Sequence, residues 1–364
     1  MTMPTPRPGI FDIDPYVVGD SDAPDAARVI KLSSNECALG PSSEAVAAFC
    51  KASDHLYRYP DSAAIELRKA IATGNGLDAE KIVCGNGSDE LLTMLAQSYA
   101  GPGDEVLFSE HSFLIYPIIA RFAGATPVMA PENRLTVNVD ALLDKVTKKT
   151  RIVFVTNPGN PTGSYLPATE IARLHEGLPE NVLLVLDGAY AEYVMADNYS
   201  PGNDLVDVSN NVVMTRTFSK IYALSGLRLG WCYCPAVVVD VLNRVRGPFN
   251  VSCPAQAAGL AAIKDTVHTA KIRAENETWR AWTSKQLSAL GFDVAPSVTN
   301  FILVRFSSDP AHNAESANAF LLAEGILTRR TVNYGIPDSL RITIGTEAEM
   351  RELVAALARF KEMA

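Results

Sequence analysis

The chemistry in this sequence gathers around one lysine. Thr215-Arg216-Thr217-Phe218-Ser219-Lys220 is followed, a few residues on, by Ser225-Gly226-Leu227-Arg228-Leu229-Gly230. A lysine beyond a strand is ordinarily a solvated side chain, but Thr217, Ser219 and Arg228 add hydroxyls and a guanidinium suited to a phosphate. An amine desolvated near such positive charge has a lowered pKa and becomes a nucleophile for an aldehyde. Upstream, Asp187-Gly188-Ala189-Tyr190 follows the apolar run Val182 to Leu186. A carboxylate there is costly to bury unless a cation or donor meets it, and a protonated pyridine nitrogen would meet it well. The plain alternative is an aspartate capping the next turn.

Two further loops follow apolar runs. Thr156-Asn157-Pro158-Gly159-Asn160-Pro161-Thr162-Gly163 comes directly after Arg151 to Val155. Its two X-Pro steps stiffen it and can hold the Asn160 side chain at a strand's carboxyl end, although a plain turn would read the same way over fewer residues. Val83-Cys84-Gly85-Asn86-Gly87-Ser88-Asp89-Glu90 leads into the helical run from Leu91. Glycines let a backbone approach closely, and free N–H groups at a helix start, with the Ser88 hydroxyl, bind an anion. Taken alone, that turn is also an ordinary helix N-cap.

The elements that must position these loops form an α/β pattern, in which short β-branched runs alternate with amphipathic helical stretches between residues 80 and 235. Strands are expected at Lys81 to Cys84, Glu105 to Phe108, Thr126 to Met129, Arg151 to Val155, Val182 to Leu186, Val212 to Thr215 and Arg228 to Cys234. They make one large, mostly parallel, seven-stranded sheet sandwiched by helices, with ligands at the strands' carboxyl ends. The pattern changes near Gly247, where a smaller α+β C-terminal domain begins. We expect an N-terminal arm over 1–39, a large domain over 40–246 and the small domain over 247–364, the arm lying on the small domain or on a partner subunit.

Composition narrows the functions further. At 364 residues and 48% hydrophobic the chain can bury more than one core. A net charge of −9 argues against adhesion to nucleic acid or anionic lipid, and the apolar runs fall far short of the roughly 20 residues that span a bilayer. Met1 to Pro8 lacks the layout of a secretory signal, which suggests a cytoplasmic protein. The six cysteines, at 37, 50, 84, 232, 234 and 253, have neither zinc-ligand spacing nor disulfide density, so buried free thiols are expected and no metal.

Taken in order, the four segments resemble the fold-type I pyridoxal-5′-phosphate (PLP) aminotransferases, from about Pro15 to the C-terminus. Within them the chain looks most like the histidinol-phosphate aminotransferase family, because it also carries Leu32-Ser33-Ser34-Asn35-Glu36, Tyr57-Arg58-Tyr59-Pro60-Asp61, Gly325-Ile326-Leu327-Thr328-Arg329 and Leu340-Arg341-Ile342-Thr343-Ile344-Gly345-Thr346. The resemblance implies that Lys220 holds PLP as a Schiff base and later moves a proton, while Asp187 pairs with the ring nitrogen. It implies that Asn160 and Tyr190 bond the ring's phenolic oxygen and that Phe113 stacks on the ring. The cofactor phosphate would lie at Gly87, Ser88, Asp89, Thr217, Ser219 and Arg228, with Tyr59 reaching over from the second subunit of a homodimer. The chain departs from the family pattern in three places: Gly188 stands for glutamate, Cys37-Ala38 for Asn-Pro, and Phe113 for tyrosine.

For substrate, the resemblance implies Arg341 at an α-carboxylate with help from Asn35, and Arg329 with Tyr16 at a substrate phosphate, with Asn86 and Arg330 nearby. That favours transamination of histidinol phosphate with 2-oxoglutarate as acceptor. An Arg329-Arg330 pair can also be a solvated edge. Similar motifs serve aminotransferases of phenylalanine and tyrosine, and a phosphothreonine-type PLP decarboxylase shares the scaffold. A non-catalytic relative would have lost Lys220 or Asp187, or gained a DNA-binding segment, and the sequence does neither.

Overall fold

The computed structural model describes residues 4–19 and 28–363, so parts of the expected arm, 1–3 and 20–27, lie outside the described residues. After β1 (Ile30–Lys31) come the strands of the large sheet: β2 (Ile82–Gly85), β3 (Glu105–Ser109), β4 (Thr126–Ala130), β5 (Thr150–Thr156), β6 (Leu183–Asp187), β7 (Val212–Thr217) and β8 (Gly230–Tyr233). Their order is β2-β8-β7-β6-β5-β3-β4. Only β8 runs antiparallel to its neighbours, so the seven expected strands do form one mostly parallel sheet. The last begins two residues late because Arg228 adopts a left-handed conformation, φ 51°, and cannot continue a strand.

Side-chain alternation explains why both faces are covered. Along β5, Ile152 and Phe154 enter one core while Val153 and Val155 enter the other. A strand buried on both sides reads as a continuous apolar run, which is how it appears in the sequence. One face carries α3 (Ser88–Tyr99), α4 (Ile115–Ala123) and α8 (Ala236–Val245). The other carries α1 (Ser43–Ala52), α2 (Ile65–Asn75), α5 (Val139–Lys145), α6 (Ala168–Gly177), α7 (Asn203–Val208) and α9 (Cys253–Lys264).

The long helix α10 (Thr266–Ala289) links this body to the small domain, with Ile272 in a core of the large sheet and Leu287 in the core of the small domain. The small domain has β9 (Asp293–Val294), β10 (Phe301–Arg305), α11 (Ala314–Ala323), β11 (Ile326–Leu327), β12 (Arg329–Arg330), β13 (Ser339–Thr343) and α12 (Glu347–Glu362). Its sheet order is β12-β13-β10-β9. A capping box between Thr346 and Glu349 starts α12. From the arm, β1 pairs in parallel with β11, and Ile30 and Leu32 enter the small-domain core. The pattern change near 247 precedes α9, whose Ala255 and Ala258 still pack into the core of the large sheet.

All six cysteines are free. Cys84, Cys232 and Cys234 are buried as expected, and the last two share a strand face with sulfurs 3.9 Å apart. Cys50 corrects the expectation: it lies near the end of α1, whose buried side is carried by Ala45, and it is exposed. Among the described residues no helix is long and apolar enough to cross a membrane.

Candidate active site

A cavity of about 300 Å³ opens where the carboxyl ends of β5, β6 and β7 meet the β12–β13 hairpin. Lys220 lines it, its Nζ 3.5 Å from the Ser34 carbonyl oxygen and 5.7 Å from the centre of the Tyr190 ring. Burial, and then the charge of Arg341, push the amine down to about 8. A larger share of it is therefore neutral near physiological pH than for an ordinary lysine, as a nucleophile for an aldehyde requires.

Asp187 ends β6 in register with Thr156 of β5 and Thr215 of β7. Its Oδ2 accepts from the Tyr116 hydroxyl at 2.9 Å and its Oδ1 from Thr215 Oγ1 at 3.3 Å, and Tyr116 Oη lies 2.6 Å from Thr156 Oγ1. Burial raises the carboxyl to about 6, although the Tyr116 hydroxyl pulls the other way. Two hydroxyls and the Ala189 backbone N–H do not compensate a buried carboxylate, whose pKa stays raised, so this site fits a cation such as a pyridinium nitrogen. Tyr116, fully buried and stacked on Phe154, also meets the edge of Phe113 at the cavity wall.

An anion cup lies beside Lys220. Arg228 donates from Nη1 to Ser219 Oγ at 3.4 Å and from Nη2 to Asp89 Oδ2 at 3.0 Å. The Asp89 carboxylate is thus engaged with Arg228. A Cβ at Gly87, where φ is +81°, would fall 2.6 Å from Arg228 Nη2, and one at Gly230 would overlap the backbone nitrogen of Ser88. Both glycines keep the α3 N-terminus and the guanidinium close enough to share one ligand. Ser88 and Thr217 complete the rim.

The Asn160 loop is locked by Asn157, whose side chain donates to the Leu166 carbonyl and accepts from the Leu166 N–H. Asn160 Oδ1 accepts from Arg341 Nη1 at 2.5 Å. Arg341 also donates from Nη2 to the Ser33 carbonyl at 3.0 Å, yet its buried Nε has no hydrogen-bond partner among the described residues. Asn35 donates from Nδ2 to the Tyr190 hydroxyl at 2.8 Å and is itself held by Thr343 and Asn300. It therefore touches Tyr190 rather than Arg341, and its near neighbour Ser33 makes the arginine contact. Arg329 donates from Nη2 to the Val17 carbonyl at 2.6 Å, and Tyr16 hydrogen-bonds Tyr334, which Arg341 Nη1 also reaches at 3.4 Å.

Arg330 points elsewhere, pairing with Glu315 on the surface. Asn86 spends its N–H on Glu90. Tyr59 is 81% exposed, stacked on Phe249 with ring centres 4.5 Å apart, and does not line this cavity. Sequence reading missed Tyr116, Thr156, Thr215 and Tyr334. The two threonines were visible as polar ends of apolar strands, but the tyrosines look like ordinary apolar positions in their segments.

The sequence pattern described as aminotransferase class I and II matches residues 27–357. A histidinol-phosphate aminotransferase of Paramagnetospirillum magneticum is 57% identical over 360 residues, 99% of either chain. One from Rhodopseudomonas palustris is 50% identical over 361 residues, again 99% of either chain. The crystal structure of histidinol-phosphate aminotransferase from Sinorhizobium meliloti in complex with pyridoxal-5′-phosphate superposes with a TM-score of 0.85 at 27% identity, over 93% of this chain and 92% of that one. Fold and site thus define a transferase of the fold-type I aminotransferase class. Within that class, the chain belongs to the histidinol-phosphate aminotransferase family.

Proposed function

We propose that this chain transfers the amino group of histidinol phosphate to 2-oxoglutarate in histidine biosynthesis, with PLP held at Lys220. The observation that carries the reading is the pair of buried guanidinium groups, Arg329 and Arg341, on the wall of the cavity that Lys220 enters. Histidinol phosphate brings a phosphate on one arm of its amino carbon, and glutamate brings carboxylates. A site for both must hold two kinds of anion near one amine, and two arginines without acidic partners suit that task.

When bound, PLP supplies an aldehyde for amines and a protonated ring that draws electrons from the substrate α-carbon. Asp187 keeps the ring nitrogen protonated. Asn160, through its amide N–H, and Tyr190, oriented by Asn35, serve the phenolic oxygen, while Phe113 covers the ring face. Gly87, Ser88, Asp89, Thr217, Ser219 and Arg228 hold the cofactor phosphate, with Asp89 contributing through its place at the α3 N-terminus and its grip on Arg228. Lys220, once displaced from the cofactor, is the base that takes the proton from the substrate α-carbon. Arg341 orients the carboxylate of glutamate, and Arg329 with Tyr16 takes the phosphate of histidinol phosphate.

The working unit in this reading is a cytoplasmic homodimer. Support comes from Tyr59, which is exposed in a single subunit beside exposed Tyr57, Leu56 and Phe249; a partner placed there brings Tyr59 to the other cofactor phosphate. The reading is tested by reducing the cofactor-loaded protein with borohydride and mapping the modified peptide. The cofactor should be found on Lys220 and nowhere in Lys220→Ala, and label on another lysine would overturn the assignment.

A further inference from the structure

Between the two arginine strands the chain makes a short turn, Val332–Tyr334, closed by Gly335 at φ +76°. Tyr334 is 2% exposed, and its hydroxyl is where Arg341 and Tyr16 meet. From inside the hairpin, Thr331 Oγ1 anchors the turn, lying 2.7 Å from the Ile336 carbonyl oxygen and 2.8 Å from that of Ser339, the two acceptors available to its one proton. On the opposite side stands His111, from the large domain.

The His111 ring is mostly buried, with Nδ1 2.7 Å from the Tyr334 carbonyl oxygen. A carbonyl only accepts, so Nδ1 carries the proton and donates. Nε2 lies 3.8 Å from Glu110 Oε1. Gly335 has no side chain to separate ring and turn: a Cβ there would already touch the imidazole at 3.4 Å. The loop that presents His111 is firmly held. Glu132 accepts from the Ser109 hydroxyl and the His111 N–H, and its own N–H donates to Glu110 Oε1 at 2.7 Å. Two residues beyond His111, Phe113 lines the cavity.

We infer that His111 is a positioning residue for substrate anions. Its Nδ1–H fixes the turn that sets the Tyr334 hydroxyl between Arg341 and Tyr16, and so couples the loop bearing Phe113 to the arginine hairpin. His111 does not itself line the cavity, so its loss acts on binding more than on proton transfer at Lys220. The inference rests on the proposed anion role of Arg341.

The test uses the cofactor-loaded enzyme and steady-state kinetics with histidinol phosphate and 2-oxoglutarate. His111→Ala should raise KM for both substrates roughly fivefold to tenfold, the size of one net hydrogen bond. It should leave kcat within about twofold and the cofactor absorbance band unchanged. His111→Asn, which can present an amide N–H near the Nδ1 position, should recover most of the loss. Unchanged KM values in His111→Ala, a fall confined to kcat or cofactor content, or an asparagine variant as impaired as alanine would each overturn the inference. Arg341→Ala separates it from the larger reading. If that variant raises KM while His111→Ala does not, only the histidine assignment fails; if Arg341→Ala leaves KM unchanged, the anion site itself is wrong.

Discussion

Arg329 on β12 and Arg341 on β13 stand directly opposite each other across an antiparallel pair, both more than nine-tenths buried. Directly paired residues share a face of the sheet. Every hydrogen-bond partner the two have among the described residues is neutral: backbone carbonyls, the Asn160 amide and the Tyr334 hydroxyl. Two like charges held together without a counter-ion cost stability, because neither their desolvation nor their repulsion is offset. A bound anion relieves both.

Arg341→Ala should therefore lower kcat/KM by roughly a hundredfold or more for 2-oxoglutarate and for carboxylate-bearing donors such as phenylalanine, as expected for loss of a desolvated charge-assisted contact. Arg329→Ala should be selective, weakening histidinol phosphate much more than phenylalanine. Steady-state kinetics of the two variants with both donors check this. Equal losses for the two donors in Arg329→Ala would remove its phosphate role.

Asp187 predicts a conflict between stability and function. Its folded-state pKa of about 6 exceeds the ordinary 3.8, so the folded protein binds the proton more tightly and loses stability as pH rises from about 4 through about 6. At neutral pH the cofactor-free protein carries the full cost, up to about 3 kcal/mol for a shift of this size. Cofactor-free Asp187→Asn should thus be more stable than wild type at pH 7 in denaturant titrations, and the gap should close below pH 4. The same variant should bind PLP far more weakly. A less stable variant at pH 7 would show that the Tyr116 and Thr215 hydroxyls already compensate the charge.

The proposed donation of Tyr59 by a second subunit gives a complementation experiment. Tyr59→Ala and Lys220→Ala homodimers should each be impaired, the second essentially inactive. In a mixed dimer one site would hold both defects and the other neither, so co-expression should restore activity well above that of either parent. No recovery in isolated mixed dimers would place Tyr59 in its own subunit's chemistry or outside the site altogether.

Legibility in the sequence followed the physics of each element. The central strands were readable because a strand buried on both faces must be a largely continuous apolar run, as Ile152 to Val155 and Val182 to Leu186 are. Lys220, Asp187 and Asn160 were readable because each follows such a run, at the end where ligands bind. Tyr116 was not, because its hydroxyl finds Asp187 only when α4 packs across the carboxyl ends of β5 and β6. Nor could spacing reveal that Asn35 serves Tyr190 rather than Arg341. Asn35 has φ 54° and is fastened through Thr343 and Asn300, partners more than 260 residues away that only the folded small domain supplies.

In the proposed reaction Lys220 chemistry serves a donor that carries a phosphate. The most direct measurement is kcat/KM of the cofactor-loaded enzyme for histidinol phosphate, phenylalanine and tyrosine, each with 2-oxoglutarate and with glutamate formation as readout. Histidinol phosphate should exceed both aromatic amino acids by at least about tenfold, the worth of one charge-assisted contact. Equal or better turnover of phenylalanine or tyrosine would contradict it, as would carbon dioxide release from a phosphorylated amino acid without glutamate.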